Sequence, residues 1–204
     1  MAKNRIPFNV IILGDPGAGK ATQAQYIAKK YHMLDYDMGR ELTLLREKNK
    51  AIDTAQKNTA DRGILTPTMI VRKINLQFIT TAPEDKGILF DGHPKMLGEA
   101  KLVASLLKKT KRIKPLFIYL SIPQTEIIKR TSQRQGYRST TMTARKDDTI
   151  EALKNRAKYY RKNIKEVVDF FSSIYQYKRI SGLGTRTEVR ARIQKAIDNY
   201  LKTI

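Results

Sequence analysis

The chain has 204 residues, enough for one globular domain with a substantial hydrophobic core. It contains no cysteine, which excludes a disulfide framework, a thiol nucleophile and a cysteine-ligated zinc or iron–sulfur site. Forty Lys and Arg face nineteen Asp and Glu, and the net charge of +21 favours polyanionic partners, although the basic residues are scattered rather than grouped in blocks. No apolar run approaches the roughly 20 residues of a membrane span, and the N-terminus has no signal-peptide pattern. We therefore expect a soluble, cytoplasmic protein without membrane contact.

Short apolar runs alternate with longer amphipathic segments along the chain. The runs predict strands at Phe8–Leu13, 34–37, Gly87–Phe90, Leu116–Ile122 and Tyr177–Ile180. The amphipathic segments predict helices at Ala18–Tyr31, Gly39–Lys48, 95–108, 124–134 and 147–172, with a last helix after Gly184. Pro67 opens a further helix, for which we expect Met69, Ile70, Ile74 and Phe78 to point inward. This alternation predicts one α/β domain with helices on both faces of a five-stranded parallel sheet, interrupted by insertions at about 38–67 and 134–146.

The strongest motif is a glycine-rich loop between the first strand and the first helix. It consists of Gly14, Asp15, Pro16, Gly17, Ala18, Gly19, Lys20, Ala21 and Thr22. Glycines allow successive backbone N–H groups to surround phosphate oxygens, and a helix N-terminus adds partial positive charge. Lys20 is expected to reach the β- and γ-phosphates of a nucleotide. The general pattern has Ser or Thr directly after the lysine, whereas here Ala21 follows it and the hydroxyl comes with Thr22.

A second motif ends the apolar run at 88–90. Asp91 follows this strand and precedes Gly92. An acidic residue in this place can hold Mg²⁺, directly or through bound water, although Asp-Gly is also an ordinary turn. Together with the phosphate loop, it predicts a magnesium–nucleotide site.

These motifs resemble those of the adenylate kinases and related nucleoside monophosphate kinases. The resemblance covers about residues 6–200 and includes Gly-x-Pro-Gly-x-Gly-Lys-x-Thr at the loop and Asp-Gly-His-Pro-Lys at 91–95. It implies a single P-loop kinase domain over 1–204, with an acceptor-binding insertion at 38–67, a short lid at 134–146 and no zinc. It also implies Mg²⁺ with ATP, with the metal held by Asp91 through water. The catalytic residues implied are Lys20, Arg130, Arg134, Arg145, Arg156, Asp147 and Asp148, and Gly184 joins Arg130, Arg134 and the glycine loop in binding ATP.

The acceptor side departs from the family pattern. The resemblance places Met38, Gly39, Thr43, Leu65, Thr66, Gly92, Lys95, Glu99, Arg145 and Arg156 around the acceptor monophosphate. Thr43 stands where the family has an arginine, and Arg40 or Arg46 is the candidate to replace it. Lys95 replaces a second arginine and loses its bidentate fork. Glu99 replaces the glutamine that reads adenine, and a carboxylate suits guanine's adjacent donors better. His93, in the place of a phenylalanine, is interpreted as a packing residue.

The predicted function is reversible Mg²⁺-dependent phosphoryl transfer from ATP to AMP, giving two ADP. Two alternatives stay open on the nucleotide side. One is a kinase for GMP, CMP or UMP, and the other is a P-loop binder with a degraded acceptor site. The basic surface leaves nucleic acid as a less favoured partner, and we expect a monomer.

Overall fold

The computed structural model describes residues 6–57, 68–127, 129–130 and 163–204. The strands are β1 (Val10–Gly14), β2 (Leu34–Asp37), β3 (Ile88–Asp91), β4 (Leu116–Ser121) and β5 (Tyr177–Ser181). The helices are α1 (Lys20–Tyr31), α2 (Met38–Lys48), α3 (Lys50–Lys57), α4 (Thr68–Thr81), α5 (Leu97–Lys109), α6 (124–130, apart from 128), α7 (163–174) and α8 (Arg186–Leu201).

The strands form one five-stranded sheet in the order β2-β3-β1-β4-β5. Every neighbouring pair is parallel, and β1 lies at the centre, where Ile12 is in register with Asp91 of β3 and Ile118 of β4. Parallel neighbours need crossover connections, which place helices against the faces of the sheet. The predicted three-layer α/β fold with five parallel strands is confirmed.

Successive residues of β1 point into two separate hydrophobic cores. Ile11 and Leu13 pack in the layer formed with α4, α5 and α7, whereas Val10 and Ile12 pack in the layer formed with α1 and α8. All four side chains are fully buried. Burial of each such side chain is worth about 1.5–3 kcal/mol, so both faces reward apolar residues. This explains why the strand sequence is continuously apolar rather than alternating.

Helix α4 buries a stripe that only partly coincides with the predicted one. Its buried positions are Val71, Ile74, Asn75 and Ile79, with Phe78 partly buried beside them. This spacing of three and four residues defines one helix face. Met69 lies outside that face and is 68% exposed, so the prediction that it points inward is wrong.

The insertion predicted at about 38–67 contains two helices in the described part, α2 and α3. The sequence analysis predicted only the first. Asn49 separates them with an extended backbone (φ −145°, ψ 108°), and its side chain accepts a hydrogen bond from the Ile52 N–H. Asn is a favoured residue at a helix N-terminus, so the second helix had a local signal. The predicted lid at 134–146 lies outside the described residues.

The carboxyl ends of three adjacent strands place polar residues at one edge of the sheet. Gly14 ends β1, Asp37 ends β2 and Asp91 ends β3. Helix α2 begins directly after Asp37, whose carboxylate accepts hydrogen bonds from the N–H groups of Gly39 and Arg40. In open α/β sheets, ligands bind at this edge. None of the helices in the described ranges has the length and apolar character that crossing a bilayer requires.

Candidate active site

The glycine-rich loop connects β1 to α1 and has the backbone that a phosphate-binding loop needs. Gly19 precedes the helix in the left-handed region with φ 87°, which favours a residue without a side chain. A Cβ on Gly14 would lie 2.3 Å from the Leu120 carbonyl oxygen, so glycine allows the loop to leave the sheet close to β4. Lys20 is the first residue of α1, and the positive end of that helix therefore faces the loop.

The Lys20 side chain folds back over this loop. Its Nζ donates hydrogen bonds to the carbonyl oxygens of Gly14 at 2.7 Å and Asp15 at 3.0 Å. Gly92, at the end of β3, lies on its other side, where an added Cβ would be 3.9 Å from Lys20 Cε. The ammonium group is thus held at the phosphate loop close to the turn after β3, and its contact with nucleotide phosphates stays a prediction.

Asp15 holds the loop against β4. Its carboxylate accepts hydrogen bonds from the Tyr119 hydroxyl at 2.8 Å and from the Ile122 N–H at 2.9 Å. Its own N–H donates to the Leu120 carbonyl at 2.8 Å. The side chain therefore braces the loop, and any contact between Asp15 and ATP stays a prediction. Tyr119 was missed as a site residue because nothing local distinguishes it within an apolar strand.

Arg130 of α6 lies beside the phosphate loop. Its Nη1 donates to the carbonyl oxygens of Gly17 at 3.4 Å and Gly182 at 3.1 Å, and its Nε pairs with the Glu126 carboxylate at 2.7 Å. The turn at Gly182 also approaches the loop, since a Cβ there would lie 3.0 Å from the Ala18 carbonyl oxygen. The structure therefore brings Arg130 and the 182–184 turn together at the loop. Glu126 was missed, although its spacing of four residues from Arg130 was a signal.

Other predicted ATP-binding residues continue the same segment. Within the loop, Ala18 is buried, whereas Ala21 and Thr22 are exposed in the first turn of α1. Gly184 has φ 98° in the turn before α8. Arg134, Arg145, Asp147, Asp148 and Arg156 lie outside the described residues, as do Leu65 and Thr66 on the acceptor side.

Asp91 carries the most perturbed carboxylate at the strand edge. Burial raises its pKa to about 6, and the carboxylates of Asp37 and Asp35 add to the increase. The ammonium groups of Lys20 and Lys95 act in the opposite direction. An anion that is partly desolvated and close to other carboxylates is stabilised by a nearby cation. This donor chemistry fits a hard divalent ion such as Mg²⁺. The described residues contain no group of three or more His, Cys, Asp or Glu that could hold a metal ion.

The acceptor-side residues of α2 are engaged within the protein. The Thr43 hydroxyl donates to the Gly39 carbonyl at 2.8 Å, one helical turn earlier. Arg40 pairs with Asp35 at 3.0 Å, and Arg46 pairs with Asp53 at 2.9 Å. The two candidate replacements for the family's arginine thus both have carboxylate partners. Met38 is buried at the start of the same helix.

The turn between β3 and α5, together with the first turn of α5, carries the remaining acceptor-side predictions. Glu99 is 5% exposed, and its Oε2 accepts a hydrogen bond from the Lys95 N–H at 3.0 Å. Burial raises the pKa of Glu99. His93, in a turn whose His93–Pro94 peptide bond is cis, is 2% exposed and lies 2.9 Å from Oδ1 of Asn75 through Nε2. His93 is therefore buried and packs against Tyr36, as the sequence interpretation has it, and it also belongs to a hydrogen-bond network with Asn75.

The parallel α/β sheet, with its lysine-bearing phosphate loop at the carboxyl edge, defines a P-loop nucleotide-binding protein. Comparison with known proteins narrows this class. The family model described as adenylate kinase matches residues 12–176. An adenylate kinase from Leptospira biflexa is 30% identical over 188 residues, covering 92% of this chain and 98% of that protein. Adenylate kinases from Parabacteroides distasonis (27% identity) and Phocaeicola vulgatus (28%) each cover 94% of this chain and 98% of their own length.

The chain belongs to the adenylate kinase family. It is accordingly a nucleoside monophosphate kinase, a phosphotransferase that binds ATP. The resemblance stated from the sequence is confirmed, and the roles of individual residues stay predictions.

Proposed function

We propose that this protein transfers the γ-phosphoryl group of Mg²⁺-bound ATP reversibly to AMP, giving two molecules of ADP. The observation that carries the proposal is the position of Lys20, whose ammonium is held over the glycine loop and beside Gly92. A cation in this place faces both the phosphate loop and the turn that leads to the acceptor residues. Phosphoryl transfer between two nucleotides needs positive charge at that junction.

The chain's own groups act by position and charge. Charge that develops on the transferring group is stabilised by the loop N–H groups, by the α1 terminus and by Lys20. Arg130 approaches the loop carbonyls, and its Glu126 partner fixes the plane of the guanidinium. The predicted lid arginines Arg134, Arg145 and Arg156 are proposed to add charge when the lid covers the nucleotides. Exclusion of water then favours transfer to the acceptor over hydrolysis.

Asp91 is the residue proposed to hold Mg²⁺ through water. Its site fits the ion, because burial and the neighbouring carboxylates make an uncompensated negative charge costly there. When bound, the ion neutralises charge on the phosphates. Asp91 contributes the orientation of the hydrating waters at the end of β3.

Glu99 decides between acceptors. An ionised carboxylate offers acceptors only, which match two adjacent donors of guanine. A protonated carboxyl offers one donor and one acceptor, the combination that suits adenine's N1 and amino group. Burial raises the pKa of Glu99, whereas the hydrogen bond from the Lys95 N–H and the charge of Lys95 act in the opposite direction. AMP is the proposed acceptor because the relatives that cover this chain are adenylate kinases, and GMP is the second candidate because an ionised Glu99 would match its adjacent donors.

A coupled assay of ADP formation with ATP and each of AMP, GMP, CMP and UMP tests the proposal. We expect the highest kcat/KM with AMP, and a requirement for Mg²⁺. Lys20→Met should lower turnover by more than about a hundredfold with an unchanged circular dichroism spectrum, because it removes the ammonium and keeps a similar volume. Lys29→Met, an exposed position on the same helix, is the matched control and should behave as wild type. Hydrolysis of ATP with no transfer to any monophosphate would contradict the proposal.

A further inference from the structure

A buried polar network joins β2, α4 and the turn before α5. The Tyr36 hydroxyl donates to Oδ1 of Asn75 at 2.9 Å, and His93 Nε2 lies 2.9 Å from the same oxygen. Tyr36 and Asn75 are fully buried, and His93 is 2% exposed. The three residues are far apart in sequence and come from different elements: the Tyr36 bond ties α4 to β2, and the His93 bond ties α4 to the β3–α5 turn.

The direction of the bonds follows from donor and acceptor chemistry. Asn75 Oδ1 is an acceptor, so His93 must carry its proton on Nε2. The ring is neutral, because burial and the charge of Lys95 lower the pKa of His93 to about 3. The other ring nitrogen, Nδ1, lies 3.8 Å from Oε2 of Glu99. That carboxylate oxygen accepts the Lys95 N–H, so the imidazole ring stands between α4 and the group that fixes the Lys95 backbone.

We propose that Asn75 and His93 are positioning residues for the acceptor nucleotide: through their hydrogen bond, helix α4 holds the 92–96 turn, and with it Lys95, in the orientation that binds the monophosphate. The Lys95 N–H in turn holds the side chain of Glu99, which lies in the first turn of α5. This inference rests on the proposed function. It extends that function to two residues that touch neither nucleotide and that act through the turn. Gly92 at the start of the same turn lies beside Lys20, so the orientation of the turn relates the acceptor side to the phosphate loop.

The network is poorly suited to stabilisation alone. Nδ2 of Asn75 is buried and has no hydrogen-bond partner among the described residues. A buried donor without a partner costs stability, and apolar groups of the same shape in place of such a network are often neutral or stabilising. Hydrogen bonds, unlike apolar contacts, fix the orientation of a ring. The hydrogen bonds to Asn75 therefore contribute more to the orientation of the His93 ring than to the stability of the fold.

His93→Phe and Asn75→Leu test the proposal. Phenylalanine keeps a ring of similar size and removes the hydrogen bond to Asn75. The adenylate kinase family has phenylalanine in the place of His93, so we expect this variant to fold. Each substitution should raise the KM for the acceptor monophosphate by about fivefold to tenfold and leave the KM for ATP within about twofold. His93→Gln supplies a side-chain amide N–H in place of the ring N–H. Its KM for the acceptor should therefore lie closer to that of wild type than to that of His93→Phe. Tyr36→Phe is the control, because it removes one bond to Asn75 and keeps the His93 bond; its acceptor KM should stay at the wild-type value.

Amide hydrogen exchange at Lys95 gives a readout without catalysis. We expect faster exchange in His93→Phe and Asn75→Leu than in wild type or Tyr36→Phe, because the turn loses its link to α4. Unchanged acceptor KM and unchanged Lys95 exchange in His93→Phe would overturn the positioning role. An equal loss of affinity for both nucleotides would overturn it as well, since a purely structural role predicts that result. If wild type phosphorylates no monophosphate, the proposed function fails, and the exchange measurement alone then decides whether the network holds the turn.

Discussion

Replacing Asp91 with asparagine is expected to stabilise the fold at neutral pH while it removes the metal-dependent activity. Burial and two nearby carboxylates make the ionised form of Asp91 unfavourable in the folded chain. Asparagine has nearly the same shape and carries no charge. The variant therefore loses the electrostatic cost together with the proposed contact to hydrated Mg²⁺, a trade between stability and activity that is common at functional sites.

The size and pH dependence of this effect follow from the pKa of Asp91, which rises from 3.8 to about 6 on folding. The folded chain binds the proton more tightly than the unfolded chain, so the free energy of unfolding falls as the pH rises through this window. The accumulated loss is about 3 kcal/mol at about pH 7.5, because each tenfold change in proton affinity corresponds to about 1.4 kcal/mol. At about pH 5 roughly half of that loss applies, and below about pH 4 little of it remains.

Urea denaturation followed by circular dichroism measures the effect at about pH 7.5 and about pH 5. Asp91→Asn should be more stable than wild type at both pH values, with the larger gain at the higher one. Asp85→Asn, in the exposed loop before β3, is the matched control and should stay within about 0.5 kcal/mol of wild type. A destabilised Asp91→Asn at about pH 7.5, or a gain that does not depend on pH, would refute the reasoning.

Three further substitutions have expected outcomes. Arg112→Ala should lower the free energy of unfolding by about 2 kcal/mol in urea titrations, because its guanidinium donates to three carbonyl oxygens at the end of α4 and in the loop that follows. Thr185→Ala should lower it by about 1 kcal/mol, since the capping box with Glu188 at the start of α8 is lost. Thr43→Arg should lower the KM for the acceptor by about threefold in steady-state assays and leave that for ATP unchanged. Thr80→Arg, which replaces the same hydroxyl-to-carbonyl bond on α4, should change neither.

The strands and the phosphate loop were predictable because their signals are local. A strand buried on both faces must be apolar at every position, and β1, β3 and β4 show this directly. The loop needs glycine where the backbone is left-handed, and Gly19 meets that need within a few residues of Lys20. The pattern of apolar runs therefore predicted the fold class, and the loop motif predicted a glycine-rich turn between β1 and α1 that the structure contains.

The network around Asn75 could not be predicted, because its partners are distant in the sequence. Tyr36 lies 39 residues before Asn75 and His93 lies 18 residues after it. The local sequence does not indicate which residues an isolated polar side chain on the inner face of α4 contacts. The packing interpretation of His93 was right about its burial and missed its hydrogen bond to Asn75. Met69 was wrongly assigned to the inner face of α4, where Asn75 lies. Long-range hydrogen bonds of this kind become visible only when the sheet order is known.

Arg40 and Arg46, the two candidates to replace an arginine at position 43, both form ion pairs with carboxylates within the protein. Arg40 is about half exposed in its side chain, and a surface pair such as the one with Asp35 contributes between about 0 and 1 kcal/mol. A monophosphate carries more negative charge than a carboxylate and offers more acceptor oxygens. The ion pair with Asp35 is therefore compatible with the prediction that Arg40 binds the acceptor phosphate, although Arg40 also donates to the Asp35 carbonyl oxygen. The two arginines flank Thr43 by three residues on either side, which places all three on one side of α2. We propose that the charge of these helical neighbours partly offsets the absence of an arginine at position 43, and we therefore expect a gain from Thr43→Arg of about threefold rather than the tenfold that an empty site would give.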